Sequence, residues 1–278
     1  MNARVNTIRK FCERHLGLSI FLGSFLVVLV VYWRVLGIGF LSDDYHILAV
    51  VANNSNVFSY FGTNIIGERG GSSYGPVFNA LMIAQHALFG LSAVWYHLVL
   101  LLLHAGTATL LFLLVQRLTK RPGLALASAV LFLVLQGHVG SLAWVAVLPH
   151  VAATFFFWAA LYAYFIFLQT KREPFYWATL GLFTLSLFTK EIVISSLLIF
   201  GLLHLLVKGK ELRSVKAIAT MIIRLIPLVI IAVGYFLLRK YTTGIGGGYY
   251  GAATIAFDVH HMKELFTQLL PHIFLFYL

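Results

Sequence analysis

Residues 16–36 read LGLSIFLGSFLVVLVVYWRVL, and this apolar run decides the fold class. A helix needs about 20 consecutive apolar residues to cross ~30 Å of hydrocarbon. Similar runs recur along the 278-residue chain, in which 60% of the residues are hydrophobic. None shows the period-two alternation that is typical of an outer-membrane β-barrel. The sequence therefore predicts an all-α protein, a polytopic transmembrane helical bundle.

The apolar runs predict seven membrane helices and the start of an eighth. The predicted helices cover residues 16–36, 95–118, 123–137, 145–168, 174–189, 191–207 and 217–238, with the last beginning at Ile273–Leu278. We expect a single membrane module over residues 1–278 that lacks further C-terminal helices.

The polar segment 37–94 predicts amphipathic helices outside the membrane core. After Pro76, which suits the first turn of a helix, an apolar stripe is formed by Phe78, Leu81, Met82, Leu88 and Phe89. Asn79, Gln85 and His86 lie elsewhere on that helix. The pattern predicts either a helix on the membrane surface or a helix that packs on the bundle.

The charge distribution predicts the orientation of the bundle. The net charge of +11 comes from basic clusters before the first helix and in alternate loops, a pattern of cytoplasmic loops and anionic lipid headgroups rather than of nucleic-acid binding. The N-terminus is therefore expected in the cytoplasm. Six of the nine acidic residues then face the extracytoplasmic side: Asp43, Asp44, Glu68, Glu191, Asp258 and Glu264.

Asp43 and Asp44 are adjacent carboxylates at the end of the first membrane helix, within the sequence GFLSDDYH of residues 39–46. Ionisable groups at a membrane boundary are candidate functional residues, here a general base or the ligands of a divalent metal ion. The alternative is a helix cap, because Ser and Asp are favoured at helix N-termini. Asn also caps helices, so neither Asp43→Asn nor Asp44→Asn is expected to disturb folding.

Three basic residues form a candidate anion site on the same side. Lys190 precedes Glu191 between two predicted helices, and Arg239 and Lys240 end the seventh, close to the glycines at 244 and 246–248. Such cations and a close-approaching backbone suit a phosphate. The alternatives are an ion pair between Lys190 and Glu191 at a helix end and, for Arg239 and Lys240, snorkelling towards headgroups.

The eleven histidines do not show a metal-binding spacing. His97 and His104 share one helix face, which predicts hydrogen bonds to neighbouring helices. His138 and His150 flank a short outer loop, so both could support an outer site. The single Cys12 excludes an internal disulfide.

The order of several short motifs resembles the GT-C superfamily of integral membrane glycosyltransferases, in particular the protein O-mannosyltransferase-like branch that uses polyprenyl-phosphate sugars. The matching segments are Phe40–Tyr45, Ser73–Val77, Trp95–His104, His138–Trp144 and Leu185–Glu191. Related sequences often carry Arg where this chain has Gly75, and Arg and Asp where it has Leu148 and His150.

The resemblance implies that the first outer loop holds the catalytic base, which is Asp43 or Asp44 in this chain. It implies transfer of a sugar from a polyprenyl-phosphate donor to an acceptor hydroxyl on the extracytoplasmic face. Lys190, Arg239 and Lys240 would bind the donor phosphate, with Glu191, His138 and His150 in support. The alternative function is a non-catalytic membrane protein: a transporter, a flippase or an inactive GT-C-like subunit. The donor and membrane lipids are the expected partners, the acceptor is open, and nucleic acid is not expected.

Overall fold

A computed structural model of the chain describes residues 15–71, 73–209 and 214–244, and over these ranges it contains helices and no strand. The α-helices are Leu16–Tyr32 (α1), Asp43–Asn53 (α2), Pro76–Phe89 (α3), Ala93–Thr119 (α4), Pro122–Val134 (α5), Val139–Ala143 (α6), Leu148–Thr170 (α7), Glu173–Thr189 (α8), Leu197–Lys208 (α9) and Val215–Thr243 (α10). Short 3₁₀ turns cover Trp33–Gly37, Val57–Phe61, Gln136–His138, Val145–Val147 and Glu191–Ser196. The all-α prediction is confirmed for the described residues.

Five described helical stretches are long and apolar enough to cross a membrane: Leu16–Gly37, Ala93–Thr119, Val145–Thr170, Glu191–Lys208 and Val215–Thr243. Pro122–Val134 and Gln136–Ala143 form a sixth if this pair, bent by 47°, counts as one span. These stretches fit an integral multi-pass membrane protein.

The predicted count of seven to eight spans is not confirmed. Helix α8, with 17 residues and a length of about 25 Å at ~1.5 Å per residue, is not among these long apolar stretches. The predicted last helix, Ile273–Leu278, lies outside the described residues, as do the N-terminal basic cluster, residues 210–213, Asp258 and Glu264.

Helices α7 and α8 are antiparallel neighbours. The rings of Phe167 and Tyr176 are 5.1 Å apart next to the connection between the helices. Far from that connection, the hydroxyl of Ser186 donates a 2.6 Å hydrogen bond to the carbonyl oxygen of Ala153. The connection, which includes Lys171, therefore lies at one end of the bundle, called the Lys171 end below.

Helix α10 runs parallel to α8. The hydroxyl of Tyr176 donates to the carbonyl oxygen of Arg224, and the rings of Phe188 and Tyr235 are 5.2 Å apart. The start of α10 is thus at the Lys171 end. Its final residues lie at the opposite end, called the Asp43 end below.

Helix α4 runs parallel to α7 and brings Arg117 to the Lys171 end. The guanidinium of Arg117 lies 5.5 Å from the ring centre of Tyr162, and further along the pair the ring of Phe155 packs on Gly106. A Cβ atom on Gly106 would lie 2.6 Å from that ring, so the glycine permits the close approach of the two helices.

The polar segment between α1 and α4 folds onto the end of α10. The hydroxyl of Tyr235 donates a 3.0 Å hydrogen bond to the carbonyl oxygen of Tyr74, and Gly70 N–H donates to the carbonyl oxygen of Thr242. This segment therefore forms a cover over the Asp43 end of the bundle.

Helix α3 packs on the bundle with a face that is partly polar. Asn79 and Gln85 are buried together with Phe78 and Met82, whereas Leu88 is 74% exposed. The prediction that the polar side chains lie away from a single apolar stripe is wrong at Asn79 and Gln85. The side-chain amide of Asn79 donates a 2.8 Å hydrogen bond to the carbonyl oxygen of Ile65 in the preceding loop.

His97 and His104 on α4 bond to the neighbouring bent pair, as their spacing predicted. His97 Nδ1–H donates to the carbonyl oxygen of Leu142 at 3.1 Å, and His104 Nε2–H donates to that of Leu133 at 3.4 Å. The hydroxyl of Tyr32 also donates to Leu133, at 2.9 Å. Helices α1, α4, α5 and α6 are thereby joined through backbone carbonyl groups.

Candidate functional site

A cavity of about 260 Å³ lies at the Asp43 end, between the polar segment and the ends of α7 and α8. Four side chains from the acidic and basic residue types line it: Asp43, His46, His150 and Lys190. Much of the remaining wall is apolar or backbone and includes Ile47, Ile66, Tyr74, Gly75, Phe78 and Pro149. A carboxylate, two imidazoles and an ammonium group from distant parts of the sequence thus meet in one concave site.

The two adjacent carboxylates have different surroundings. Asp44 is fully buried, and its Oδ2 and Oδ1 atoms accept hydrogen bonds from Leu41 N–H at 2.8 Å and Ala146 N–H at 2.6 Å. Asp43 is exposed and lines the cavity. The structure therefore separates a carboxylate that binds backbone from one that can meet a ligand.

The alternative of a helix cap is only partly realised. Ser42 precedes α2 at the capping position, but its side chain makes no capping hydrogen bond. Its hydroxyl lies 3.4 Å from Asp43 Oδ1, and its φ of +40° is in the region that non-glycine residues rarely adopt. The unusual backbone conformation of Ser42 lies next to the exposed carboxylate of Asp43. Residues in rare backbone conformations cluster at functional sites.

Burial raises the pKa of Asp44 above its ordinary value, because the charged form loses water. The hydrogen bonds from the backbone N–H groups of Leu41, Ala146 and Val145 act in the opposite direction, as does the charge of His97. The effect of burial is the largest of these, and the net pKa is raised. Asp44 is therefore a poorly solvated group with a specific structural role.

Lys190 and Arg239 both lie near the carboxylate of Glu191. The Nζ of Lys190 and the guanidinium of Arg239 are each 3.9 Å from Glu191 Oε1. Arg239 is 1% exposed, whereas Lys190 lines the cavity. Of the two predicted phosphate-binding cations, Lys190 is thus placed to meet a ligand, and Arg239 is placed to hold the Glu191 carboxylate.

Lys240 lies apart from both. It is exposed and lines an apolar groove with Ile194, Phe236 and Leu237. Adjacent residues of a helix point about 100° apart, and here Arg239 faces the interior whereas Lys240 faces outward. The predicted trio of cations is therefore not assembled at one cavity, and the glycines at 246–248 lie outside the described residues.

The two supporting histidines also separate. His150 lines the cavity and lies within electrostatic range of Lys190 and Glu191. His138 belongs to a ring cluster in which its centre is 4.8 Å from those of both His104 and Phe132. It is not part of the described cavity lining.

His46 and Gly75 are cavity residues that the sequence did not single out for the site. His46 follows Asp43 by three positions on α2, a spacing that places side chains on one helix face and could have identified it. A Cβ atom on Gly75 would lie 2.8 Å from the carbonyl oxygen of Thr189. Gly75 thus allows the polar segment to approach Thr189, the residue before Lys190.

Among the described residues, no group of three or more His, Cys, Asp or Glu side chains is placed to hold a metal ion. Each oxygen of Asp44 already accepts one backbone hydrogen bond, so a metal ion shared by Asp43 and Asp44 would bind beside these bonds. A divalent ion at this carboxylate pair remains a prediction.

Comparison of the chain with protein-family models, with characterised proteins and with solved structures gave no significant match. The functional interpretation therefore rests on the short motifs of the sequence and on the geometry of this cavity.

Proposed function

We propose that this chain is a membrane glycosyltransferase of the GT-C type, which transfers a sugar from a polyprenyl-phosphate donor to an acceptor hydroxyl. The observation that carries the proposal is the cavity at the Asp43 end, where the exposed carboxylate of Asp43 and the ammonium group of Lys190 line one space. A base and a cation are the two groups that this reaction requires.

Asp43 is the proposed general base. The acceptor hydroxyl attacks the anomeric carbon as Asp43 takes its proton, and the bond between that carbon and the phosphate oxygen breaks. A positioned general base contributes about 10²–10⁴-fold to a rate. Asp44 is a positioning residue, because its bonds to Leu41 and Ala146 fix the backbone next to Asp43.

Lys190 is the proposed partner of the leaving polyprenyl phosphate. Negative charge grows on the phosphate as the glycosidic bond breaks, and a fixed cation in a water-poor site stabilises it. Glu191 and Arg239 hold Lys190 in position, since Glu191 contacts both cations and Arg239 is buried. His46 and His150 supply hydrogen-bonding groups for the sugar or the acceptor.

The location of the cavity suits a lipid-linked donor. It lies at the end of the bundle, so the polyprenyl chain can stay in the bilayer while the phosphate meets Lys190 at the interface. With the N-terminus in the cytoplasm, as the basic loops predict, this end is extracytoplasmic.

The experiment that tests the proposal is donor recognition by the purified chain in detergent. A short-chain polyprenyl phosphate is titrated into the protein and compared with the uncharged polyprenol of the same length. We expect binding of the phosphate at least about tenfold tighter than that of the polyprenol, because Lys190 recognises charge. Equal affinities for the two compounds would contradict the proposal, and would favour a transporter or another non-catalytic role.

A further inference from the structure

A second cavity, of about 360 Å³, lies at the Lys171 end of the bundle, far from Asp43. It is formed where α7, α8, α9 and α10 come together. Lys171, Lys208 and Arg224 supply three cationic groups to its wall, and Glu173 supplies one carboxylate. We call this space the Lys171 cavity.

Glu173, the carboxylate of the described lining, is already engaged. Arg224 Nη2 and Nη1 donate hydrogen bonds to Glu173 Oε1 at 2.8 Å and Oε2 at 3.1 Å. The same guanidinium lies 5.2 Å from the ring centre of Phe167 and 5.0 Å from that of Tyr176. The pair is therefore held in a defined geometry, and the described lining contains three basic side chains and one carboxylate.

The wall of the cavity is both charged and apolar. Phe167 and Leu168, in the last turn of the membrane helix α7, line it beside Lys171. A soluble anion needs only the cationic part of such a wall. An amphiphile uses both, since its charged group meets the lysines while its apolar part lies against the helix ends.

We infer that the Lys171 cavity binds the phosphate headgroup of an anionic phospholipid. A basic cavity between membrane helices, at the level where the spans end, is the arrangement that recognises such headgroups. The site is separate from the cavity of the proposed glycosyl transfer and does not depend on that reaction. Its ligand is a structural or regulatory lipid of the membrane leaflet at this end.

Native mass spectrometry of the full chain in detergent tests the inference, because it counts bound lipids directly. The probes are a phosphatidylglycerol, a phosphatidylcholine with the same acyl chains, and inorganic phosphate. We expect one phosphatidylglycerol to bind at least about 25-fold tighter than phosphatidylcholine, since Lys171 and Lys208 should each contribute about fivefold to the affinity for an anionic lipid. Inorganic phosphate should bind more weakly than the lipid, because it does not use the apolar wall.

Two double variants distinguish lipid binding in the Lys171 cavity from non-specific attraction of the anionic lipid to basic residues. Lys171→Gln with Lys208→Gln removes two cavity charges, and we expect the preference for phosphatidylglycerol to fall by about 25-fold. The control, Lys120→Gln with Arg121→Gln, removes two charges from the same end at positions that do not belong to the described lining. It should keep the preference. An equal loss in both double variants would overturn the inference, because it would show non-specific attraction only.

Glu173→Gln gives a test in the opposite direction. Without its carboxylate partner, the guanidinium of Arg224 becomes available to the lipid phosphate, so phosphatidylglycerol should bind more tightly than it does to the wild type. Unchanged or weaker binding would overturn the inference. Inorganic phosphate that binds as tightly as the lipid would also overturn it, and would identify an anion site without lipid specificity.

Discussion

The backbone N–H of Ala146 donates a 2.6 Å hydrogen bond to Oδ1 of Asp44, across 102 positions of the chain. This bond joins the start of α2 to the 3₁₀ turn that precedes α7. The neighbouring Asp43 is held by the same backbone, whereas His150 follows that turn on α7. One buried carboxylate thus fixes the relative positions of two parts of the candidate site.

Asp43→Asn should abolish sugar transfer and leave stability nearly unchanged. The side chain is exposed, so its substitution should alter the free energy of unfolding by less than about 0.5 kcal/mol. Loss of a general base lowers the rate by about 10²–10⁴-fold. Release of polyprenyl phosphate from a lipid-linked sugar measures the rate, and thermal unfolding in detergent measures stability. Full activity in this variant would place the base elsewhere.

Asp44→Asn should instead destabilise the protein. In the wild type, both carboxylate oxygens of Asp44 accept from a backbone N–H group. In the variant, the NH₂ group of Asn replaces one of these oxygens and cannot accept, so one buried backbone N–H group loses its partner. The expected cost is about 1–3 kcal/mol. Thermal unfolding of the Asp43→Asn and Asp44→Asn proteins in the same detergent gives the comparison. Equal stability of the two would show that the bond to Ala146 contributes little.

The raised pKa of Asp44 predicts a pH dependence of stability. The folded state binds the Asp44 proton more tightly than the unfolded state does, so proton binding stabilises the fold. This stabilisation is fully present below the ordinary pKa of 3.8 and is lost as pH rises through the folded-state pKa. The stability of the wild type relative to Asp44→Asn should therefore fall as pH increases above 3.8. Melting temperatures of both proteins across that range measure it. A rise with pH would mean that the hydrogen bonds from backbone outweigh the cost of burial.

Gly75→Ala should damage the site through sterics alone. The added Cβ would lie 2.8 Å from the carbonyl oxygen of Thr189, so the polar segment or the end of α8 must shift. We expect a loss of about 1–3 kcal/mol in stability and weaker binding of polyprenyl phosphate. The matched control is Gly181→Ala on α8, where a Cβ meets nothing within 4 Å. The control should be neutral or slightly stabilising, since Ala favours helix. Similar effects of the two substitutions would contradict a steric role of Gly75 against Thr189.

The three cations should respond differently to substitution by Met. Lys190→Met should weaken binding of a short-chain polyprenyl phosphate, and Lys190→Arg should keep more of it because the charge remains. Lys240→Met should change the affinity less, since Lys240 is exposed outside the cavity. Arg239→Met should lower stability by roughly 3 kcal/mol, because it removes a buried partner of Glu191. A uniform loss of affinity without destabilisation in all three would restore a single shared anion site.

The two ends of the bundle should be accessible from opposite sides of the membrane. In a background with Cys12 replaced by Ser, single cysteines at Ser55 and Lys120 report the Asp43 end and the Lys171 end. A membrane-impermeant thiol reagent should label Ser55→Cys from outside intact cells and Lys120→Cys only after permeabilisation. Labelling of both from the same side would contradict the helix assignment.

Helix positions follow closely from the apolar runs, because the membrane imposes a nearly fixed length on each span. The predicted helix 174–189 is observed as Glu173–Thr189, and the predicted 217–238 extends to Val215–Thr243. The bend after Val134 was not predicted, since the helix breaks at Leu135 and continues as the 3₁₀ turn Gln136–His138 without any proline there. The buried position of Asn79 was missed because its amide bonds to the carbonyl oxygen of Ile65 outside α3, a contact that no local pattern encodes.

The site could be predicted only in part. Its location followed from the position of acidic and basic residues at helix ends. The division of labour between Asp43 and Asp44, and between Arg239 and Lys240, depends on which side chain meets a distant element. Two adjacent residues share nearly the same local sequence, so only the fold shows which of the two side chains faces the site.

The bend between α5 and α6 has a consequence for the rigidity of the bundle. A helix that breaks inside a bilayer leaves carbonyl groups without their usual partners, and each costs several kcal/mol in hydrocarbon. Here the carbonyl oxygen of Leu133 accepts from Tyr32 on α1 and His104 on α4. Straightening the pair would leave both donors without an acceptor in an apolar medium. The 47° bend is therefore a fixed corner of the fold, locked by two neighbouring helices, and not a hinge.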